Sequence, residues 1–222
     1  MVEKWQCNKC GLEFDAEPFG GPAVYHKCDV IYDPVKEKEE IGALDGALCY
    51  LIGAIDEAPD DGLTYRQYIR AECKNRNVKI KFLDPTHKPN GFQSEIAEEK
   101  KKHKSLRENK KWDELSKFMK DIVHLDLRSI DLADFVIAKI SKNVPMFGSI
   151  HEIVQADIQK KPVILIVEGG KQNTPAWCFG ILDHNLFFDS EDQCIEYLEK
   201  VNSGSIRLSD KWILIRKFIE TL

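Results

Sequence analysis

The stretch VPMFGSIHEIVQADIQKKPVILIV, Val144 to Val167, decides how this chain folds. SIHEIVQADIQKK reads as a helix and PVILIV as a short, fully apolar strand. Just upstream, FVIAKI, Phe135 to Ile140, reads as another strand. A strand, a turn through PMFG, a helix and a second strand make one βαβ unit.

The same alternation continues in both directions. Ala47 to Gly53 reads as a buried strand, within which YLIGAID, Tyr50 to Asp56, runs into a glycine and ends on a carboxylate. Thr64 to Asn77 reads as a helix, with Tyr65, Ile69 and Cys73 on one face. Val78 to Pro85 is a second strand, stopped by Pro85. WDELSKFMKDIVHLDLRSIDLAD repeats apolar residues at helical spacing through Leu115, Phe118, Met119, Ile122 and Val123. HNLFFDS reads as a short fifth strand and SEDQCIEYLEKVNSG as a helix, while DKWILIRKFIETL fits either helix or strand. The expected fold is therefore α/β, a parallel sheet of about five strands with helices on both faces. In such sheets ligands bind beyond the carboxyl ends of the strands, where strand order reverses. Gly53 and the helix carrying Glu152 both lie at such ends, and Glu152 is expected on the first turn of its helix.

Composition sets the class. The chain has 222 residues, is 43% hydrophobic and 31% charged, and carries a formal net charge of −5. Such a balance suits a globular protein, and the negative sign speaks against nucleic acid as a partner. No apolar run approaches the ~20 residues of a membrane span, and MVEKWQCNKC lacks the apolar core of a signal peptide, so a cytoplasmic location is expected.

Residues 1–33 read as a separate segment, with 34–45 as a linker or short helix and 46–222 as the main domain. The segment is punctuated by Gly and Pro and has no long period. It holds three of the seven cysteines: Cys7, Cys10 and Cys28. With His26 they form C-x2-C followed by H-x-C, four ligands suited to tetrahedral Zn²⁺ and leaving no open position. The expectation is a zinc-ribbon-like appendage with a structural metal and no organic cofactor; the plain alternative is a chance CxxC with free thiols.

Several carboxylates fall near the strand ends. Glu152 has a plain reading as a solvated residue favoured by the helix dipole. Asp126 and Asp134 read as caps or turn residues. Together in one pocket, two carboxylates are also what glycosyl chemistry uses, one as nucleophile and one managing protons or substrate. Asp56, Glu57, Asp60, Asp61 and Arg66 follow the first strand. There Asp56 could bond sugar hydroxyls and Arg66 could clamp a phosphate, or the segment is an acidic surface loop with Thr64 as helix N-cap. Residues 86–111 are polar and rich in Lys and Glu, and EEKKKHKSLRENKKWDE, residues 98–114, reads as a solvated insertion or a mobile lid, the alternative being a phosphate or nucleic-acid contact through its basic centre.

YLIGA, DLRSIDLADFVIA, PMFGSIHEIVQAD and KKPVILIV, in that order, resemble the nucleoside 2-deoxyribosyltransferase family and the nucleotide N-glycosidases of its superfamily. The likeness runs over roughly residues 48–200. It rests on D-L-x-x-I-x-x-A-D, matched by Asp126, Leu127, Ile130, Ala133 and Asp134, and on P-x-x-G-x-x-x-E, matched by Pro145, Gly148 and Glu152. The resemblance implies a Rossmann-like sheet in flavodoxin-like order. It implies Glu152 as the nucleophile that attacks C1′, Asp126 as the carboxylate that holds the sugar and helps move a proton, and Tyr50 as the aromatic that orients the site. It further implies that Gly53 lets substrate approach the backbone. Trp177, in TPAWCFG, falls where the family closes its pocket across a subunit boundary, so a homodimer is expected and Trp177 is placed to stack on a base. Two positions depart from the pattern: Met146 stands where an Asp or a phosphate-binding Ser is usual, and Val154 where a Gly is usual. The expected function is cleavage or transfer at the N-glycosidic bond of a nucleoside or nucleotide. A non-catalytic nucleotide-binding sensor on the same fold is the alternative.

Overall fold

The computed structural model describes residues 3–6, 13–16, 33–34, 42–88, 96–206 and 211–214. The chain divides into two compact units, Met1–Ile41 and Gly42–Leu222. In the first, β1 (Glu3–Gln6) pairs antiparallel with both β2 (Glu13–Ala16) and β3 (Asp33–Pro34), in the order β2-β1-β3. Cys7, Cys10, His26 and Cys28 lie outside the described residues.

The second unit is an α/β fold. Its strands are β4 (Leu48–Gly53), β5 (Lys81–Leu83), β6 (Phe135–Ile140), β7 (Val163–Val167) and β8 (Phe187–Phe188). Every pairing is parallel, in the order β5-β4-β6-β7-β8. Counted along this unit that is 2-1-3-4-5, the flavodoxin-like order, whose reversal falls between β4 and β6. Between the strands run α1 (Leu63–Asn75), α2 (Ala97–Glu108), α3 (Trp112–Leu132), α4 (Phe147–Ile158), the short α5 (Cys178–Ile181) and α6 (Glu191–Asn202).

The period of two along each strand sorts the core into two layers. Cys49 and Leu51 of β4, Phe135 and Ile137 of β6, and Ile164 and Ile166 of β7 pack with Tyr65, Ile69 and Cys73 of α1 and Ile195 and Leu198 of α6. Tyr50 and Ile52, Val136 and Ala138, and Leu165 and Val167 point the other way, towards Ile130 of α3 and Ile153 and Ala156 of α4. Tyr50 thus faces the same side of the sheet as α3 and α4. Asp134 ties the bottom of the sheet together: its carboxylate accepts from Leu48 N at 2.8 Å, and its own N–H donates to Leu48 O at 2.7 Å.

The structure corrects four expectations. Residues 96–108 are neither a solvated insertion nor a loose lid, because α2 packs on α3 through buried His103 and Leu106, beside Phe118 and Ile122. Thr64 does not cap α1; it lies inside the helix, and Asp60 accepts from the N–H groups of both Gly62 (3.0 Å) and Thr64 (2.9 Å). Leu44, in the expected linker, is fully buried in the core of the second unit. Lys211–Leu214, the described part of the closing segment, form neither helix nor strand, and Trp212 there packs on Phe135 with ring centroids 5.0 Å apart. Among the described residues no helix is long and apolar enough to cross a membrane.

Candidate active site at the strand reversal

A cleft of about 260 Å³ opens where the strand order reverses. Gly53 and Asp56 from the end of β4, Pro85 after β5, Asp126 of α3, and Met146, Gly148 and Glu152 at the start of α4 are on its walls. The residues meet because β4 and β6 are adjacent and parallel, so the loops leaving their carboxyl ends share one rim.

Tyr50 lies behind the cleft wall and supports it. It is 1% exposed, and its hydroxyl donates to Glu152 Oε1 at 2.8 Å. Burial pushes the Tyr50 phenol well up, with the charges of Glu152 and Asp126 adding to it, so it stays a neutral donor. Glu152 belongs to the second turn of α4, not the first, because the helix begins at Phe147. The dipole effect fades within the first turn, so the helix end is a weaker account of this carboxylate than the Tyr50 hydroxyl.

Asp126 is not a cap. It sits inside the 21-residue α3, on the buried face formed with Phe118, Ile122 and Ile130. Burial raises its carboxyl above the ordinary aspartate range, while Lys88, the Tyr50 hydroxyl and the Arg66 charge pull it back down. Lys88 Nζ lies 2.8 Å from Asp126 Oδ1, and both side chains are almost entirely buried. The approach is close but poorly angled: neither atom has a well-aligned hydrogen-bond partner among the described residues.

Arg66 does not reach the cleft as a phosphate clamp. It is fully buried, and its guanidinium donates to the carbonyls of Gly62 (2.6 Å), Gly53 (3.0 Å) and Leu51 (3.4 Å). All three carbonyls belong to β4 or the turn that precedes α1, so Arg66 braces the cleft from behind. Asp56 lines the cleft, but its carboxylate meets His103 Nε2 at 3.2 Å and Arg107 Nη2 at 3.8 Å from α2. Gly53 is constrained from the protein side, since a Cβ there would come within 2.9 Å of the Tyr65 hydroxyl. Gly148 lies in the first turn of α4, with open space around it and no positive φ; the tight turn is upstream, where Asn143 has φ 61°. Met146 presents its sulfur to Ser141 N at 3.3 Å. Trp177 is 77% exposed and is not among the residues lining this cleft.

Sequence reasoning missed Lys88, hidden in a polar stretch with no periodicity. The burial of Asp126 left a signal: Phe118, Ile122, Asp126 and Ile130 recur every four residues and so share one helix face.

No protein-family model matches the chain, and no curated protein matches it. Solved structures similar to it include a 2-desoxiribosyltransferase from Leishmania mexicana, 16% identical, with a TM-score of 0.42 over 69% of this chain and 97% of that one. The CMP N-glycosidase of Clostridium botulinum is 14% identical, with a TM-score of 0.38 over 68% and 98%. A conserved protein from Enterococcus faecalis V583 is 16% identical, with a TM-score of 0.39 over 80% and 99%. Likeness of this degree leaves the function to be argued from the site itself.

Proposed function

We propose that the cleft cleaves or transfers at the N-glycosidic bond of a nucleoside, deoxynucleoside or nucleotide, through a covalent glycosyl ester on Glu152. The observation that carries this reading is the Tyr50 hydroxyl, buried at the strand reversal, donating to Glu152 at 2.8 Å and close enough to Asp126 to influence its charge. The motifs quoted from the sequence support it independently. The cleft volume lies at the lower edge of the roughly 300–1,000 Å³ typical of small-molecule pockets, which suits a nucleoside better than a polymer.

In the first step a Glu152 oxygen gives an electron pair to C1′. The C1′–N bond breaks, its pair leaves on the base nitrogen, and the base takes up a proton from water in the open cleft. In the second step water or an incoming base attacks C1′ and Glu152 departs as a carboxylate. Tyr50 fixes the Glu152 rotamer. Asp126 accepts from a sugar hydroxyl and steadies positive charge building at C1′. Gly53, Asp56 and Gly148 shape the cleft.

Chromatography of a panel of nucleosides and 5′-nucleotides incubated with the protein tests the reading, with base release the expected result. A 2′-fluorinated analogue, which slows ester breakdown, should leave a sugar-sized mass on the peptide containing Glu152. Glu152→Gln should cut turnover by several orders of magnitude while the fold persists. Equal rates from wild type and Glu152→Gln would refute the nucleophile.

Met146 favours a second reading, because it lines the cleft and offers no proton. On that reading the chain is a nucleotide-binding sensor, which calorimetry would reveal as tight binding without base release. We further propose a homodimer, supported by large exposed apolar side chains at Phe147 (91%) and Trp177 (77%). A monomer mass by light scattering at micromolar concentration would refute it. The spacing of Cys7, Cys10, His26 and Cys28 supports a structural Zn²⁺ in the first unit.

A further inference from the structure

The loop after β5 is anchored unusually well for a connection between a three-residue strand and a distant helix. Asp84 is its anchor. The Asp84 Oδ1 accepts from Thr86 N at 2.9 Å and from Thr86 Oγ1 at 2.6 Å, while Oδ2 meets His87 Nδ1 at 3.2 Å. Arg66 approaches Asp84 from the core at 3.7 Å, and Arg70 from the surface at 3.3 Å. The next residue is Lys88, delivered by this pinned turn into the interior with its ammonium against Asp126. A lysine at such a position would ordinarily extend its head to water.

We propose that Lys88 is a positioning residue of the site, holding Asp126 as an anion on the cleft wall. The inference rests on reading the cleft as a site of glycosidic chemistry. Three groups act on the Asp126 carboxylate: Lys88 from the loop after β5, Tyr50 from β4 and Arg66 from α1, with Glu152 of α4 lining the same cleft. Of the two cations, only Lys88 touches it. Arg66 spends its donors on carbonyls and on Asp84. Two carboxylates sharing one tyrosine hydroxyl would repel each other, and burial would favour a proton on one of them. Lys88 opposes that pressure on Asp126 without cancelling it, and Glu152 keeps the tyrosine hydrogen bond. The pair of carboxylates is thereby divided into an ammonium-bound anion that receives the sugar and a tyrosine-bound anion that attacks it. Asp126 Oδ1, the atom beside Lys88, is buried, while the residue as a whole still lines the cleft, where a sugar would meet it.

The test is a pH titration of the Asp126 carboxyl carbon by ¹³C NMR on the full chain with labelled aspartate, assigned with Asp126→Asn. In Lys88→Met, which keeps length and removes charge, the Asp126 midpoint should rise by about one pH unit or more. Lys88→Arg should keep it near the wild-type value. In wild type, the Lys88 Cε signal should step at the pH where Asp126 titrates, and this holds even if Lys88→Met fails to fold. An unmoved Asp126 midpoint in folded Lys88→Met, or no step at Lys88 in wild type, overturns the role. Where base release is found, the acid limb of kcat/KM should move up with the carboxyl midpoint in Lys88→Met; an unmoved limb overturns the link to catalysis. Absence of base release from every substrate refutes the glycosidic reading, and the carboxyl titration then still decides whether Lys88 holds Asp126.

Discussion

Arg66 and Asp84 form a buried ion pair, Nε to Oδ1 at 3.7 Å, with side-chain exposures of 0% and 4%. One member comes from α1 and the other from the end of β5, and between them they fix both loops on one side of the cleft. Removing Arg66 takes the core-side cation from Asp84, leaving only Arg70 and His87 on its outer side. Arg66→Met should therefore destabilise the chain by about 3–5 kcal/mol, with three carbonyls left without their donor as well. Urea unfolding measures this, and a loss below about 1 kcal/mol would contradict the brace.

The Tyr50 hydroxyl donates to Glu152 Oε1 at 2.8 Å. Tyr50→Phe keeps the ring packed among Ile52, Val136 and Ile153 and deletes that donor. A hydrogen bond to a charged group contributes about 1.5–3 kcal/mol, which corresponds to roughly 10- to 100-fold in rate. The expected result is a fall of up to that size in kcat, with a lowered melting temperature and the fold retained. A kcat within about twofold of wild type would separate Tyr50 from the reaction.

Asp126 predicts a pH dependence of stability. Burial raises its carboxyl above the ordinary value of 3.8, in spite of Lys88. The folded chain keeps that proton at pH values where the unfolded chain has lost it. The stabilisation is complete below 3.8 and is lost as the pH rises through the folded midpoint. Asp126→Asn cannot titrate at this position. The unfolding free energy of wild type minus that of Asp126→Asn should thus decline from about pH 4 towards neutrality, as followed by urea titration at several pH values. A difference that rises over that range would show the carboxyl to be depressed instead.

For the first unit, metal analysis of protein purified without chelator should find about one zinc per chain, and Cys10→Ser should lower that figure. Stoichiometry near zero in the wild type would leave the CxxC as a chance pairing.

Five strands, their parallel sense and the helices α1, α3, α4 and α6 were legible because the strands are short apolar runs and these helices keep their period, whereas α2, with buried His103 and Leu106 among charged residues, read as an insertion or lid. Glu152 was legible as a candidate by its place at a strand end. Its partners were harder to read. Asp126 looks like a cap when charge alone is weighed, yet the four-residue recurrence through Phe118, Ile122 and Ile130 places it inside. Arg66 was misjudged because its neighbours in sequence are acidic and exposed, whereas its neighbours in space are backbone carbonyls. Lys88 left no local trace at all. Its burial depends on a turn organised by Asp84 and on a helix nearly forty residues away, and neither relation has a period.

The acidic loop beside the cleft has a consequence for how ligands arrive. Asp61 is bound by Lys100 at 2.6 Å, Asp56 by His103 and Arg107, and Asp60 is turned to the start of α1. Three of the four negative charges that the sequence sets at the entrance are thus already engaged within the chain. On the proposed reading, a nucleotide phosphate arriving here meets two carboxylates that carry a cation and a third, Asp60, that is held by backbone N–H groups and keeps its charge. Entry of such a phosphate should ease as dissolved salt screens the remaining negative charge.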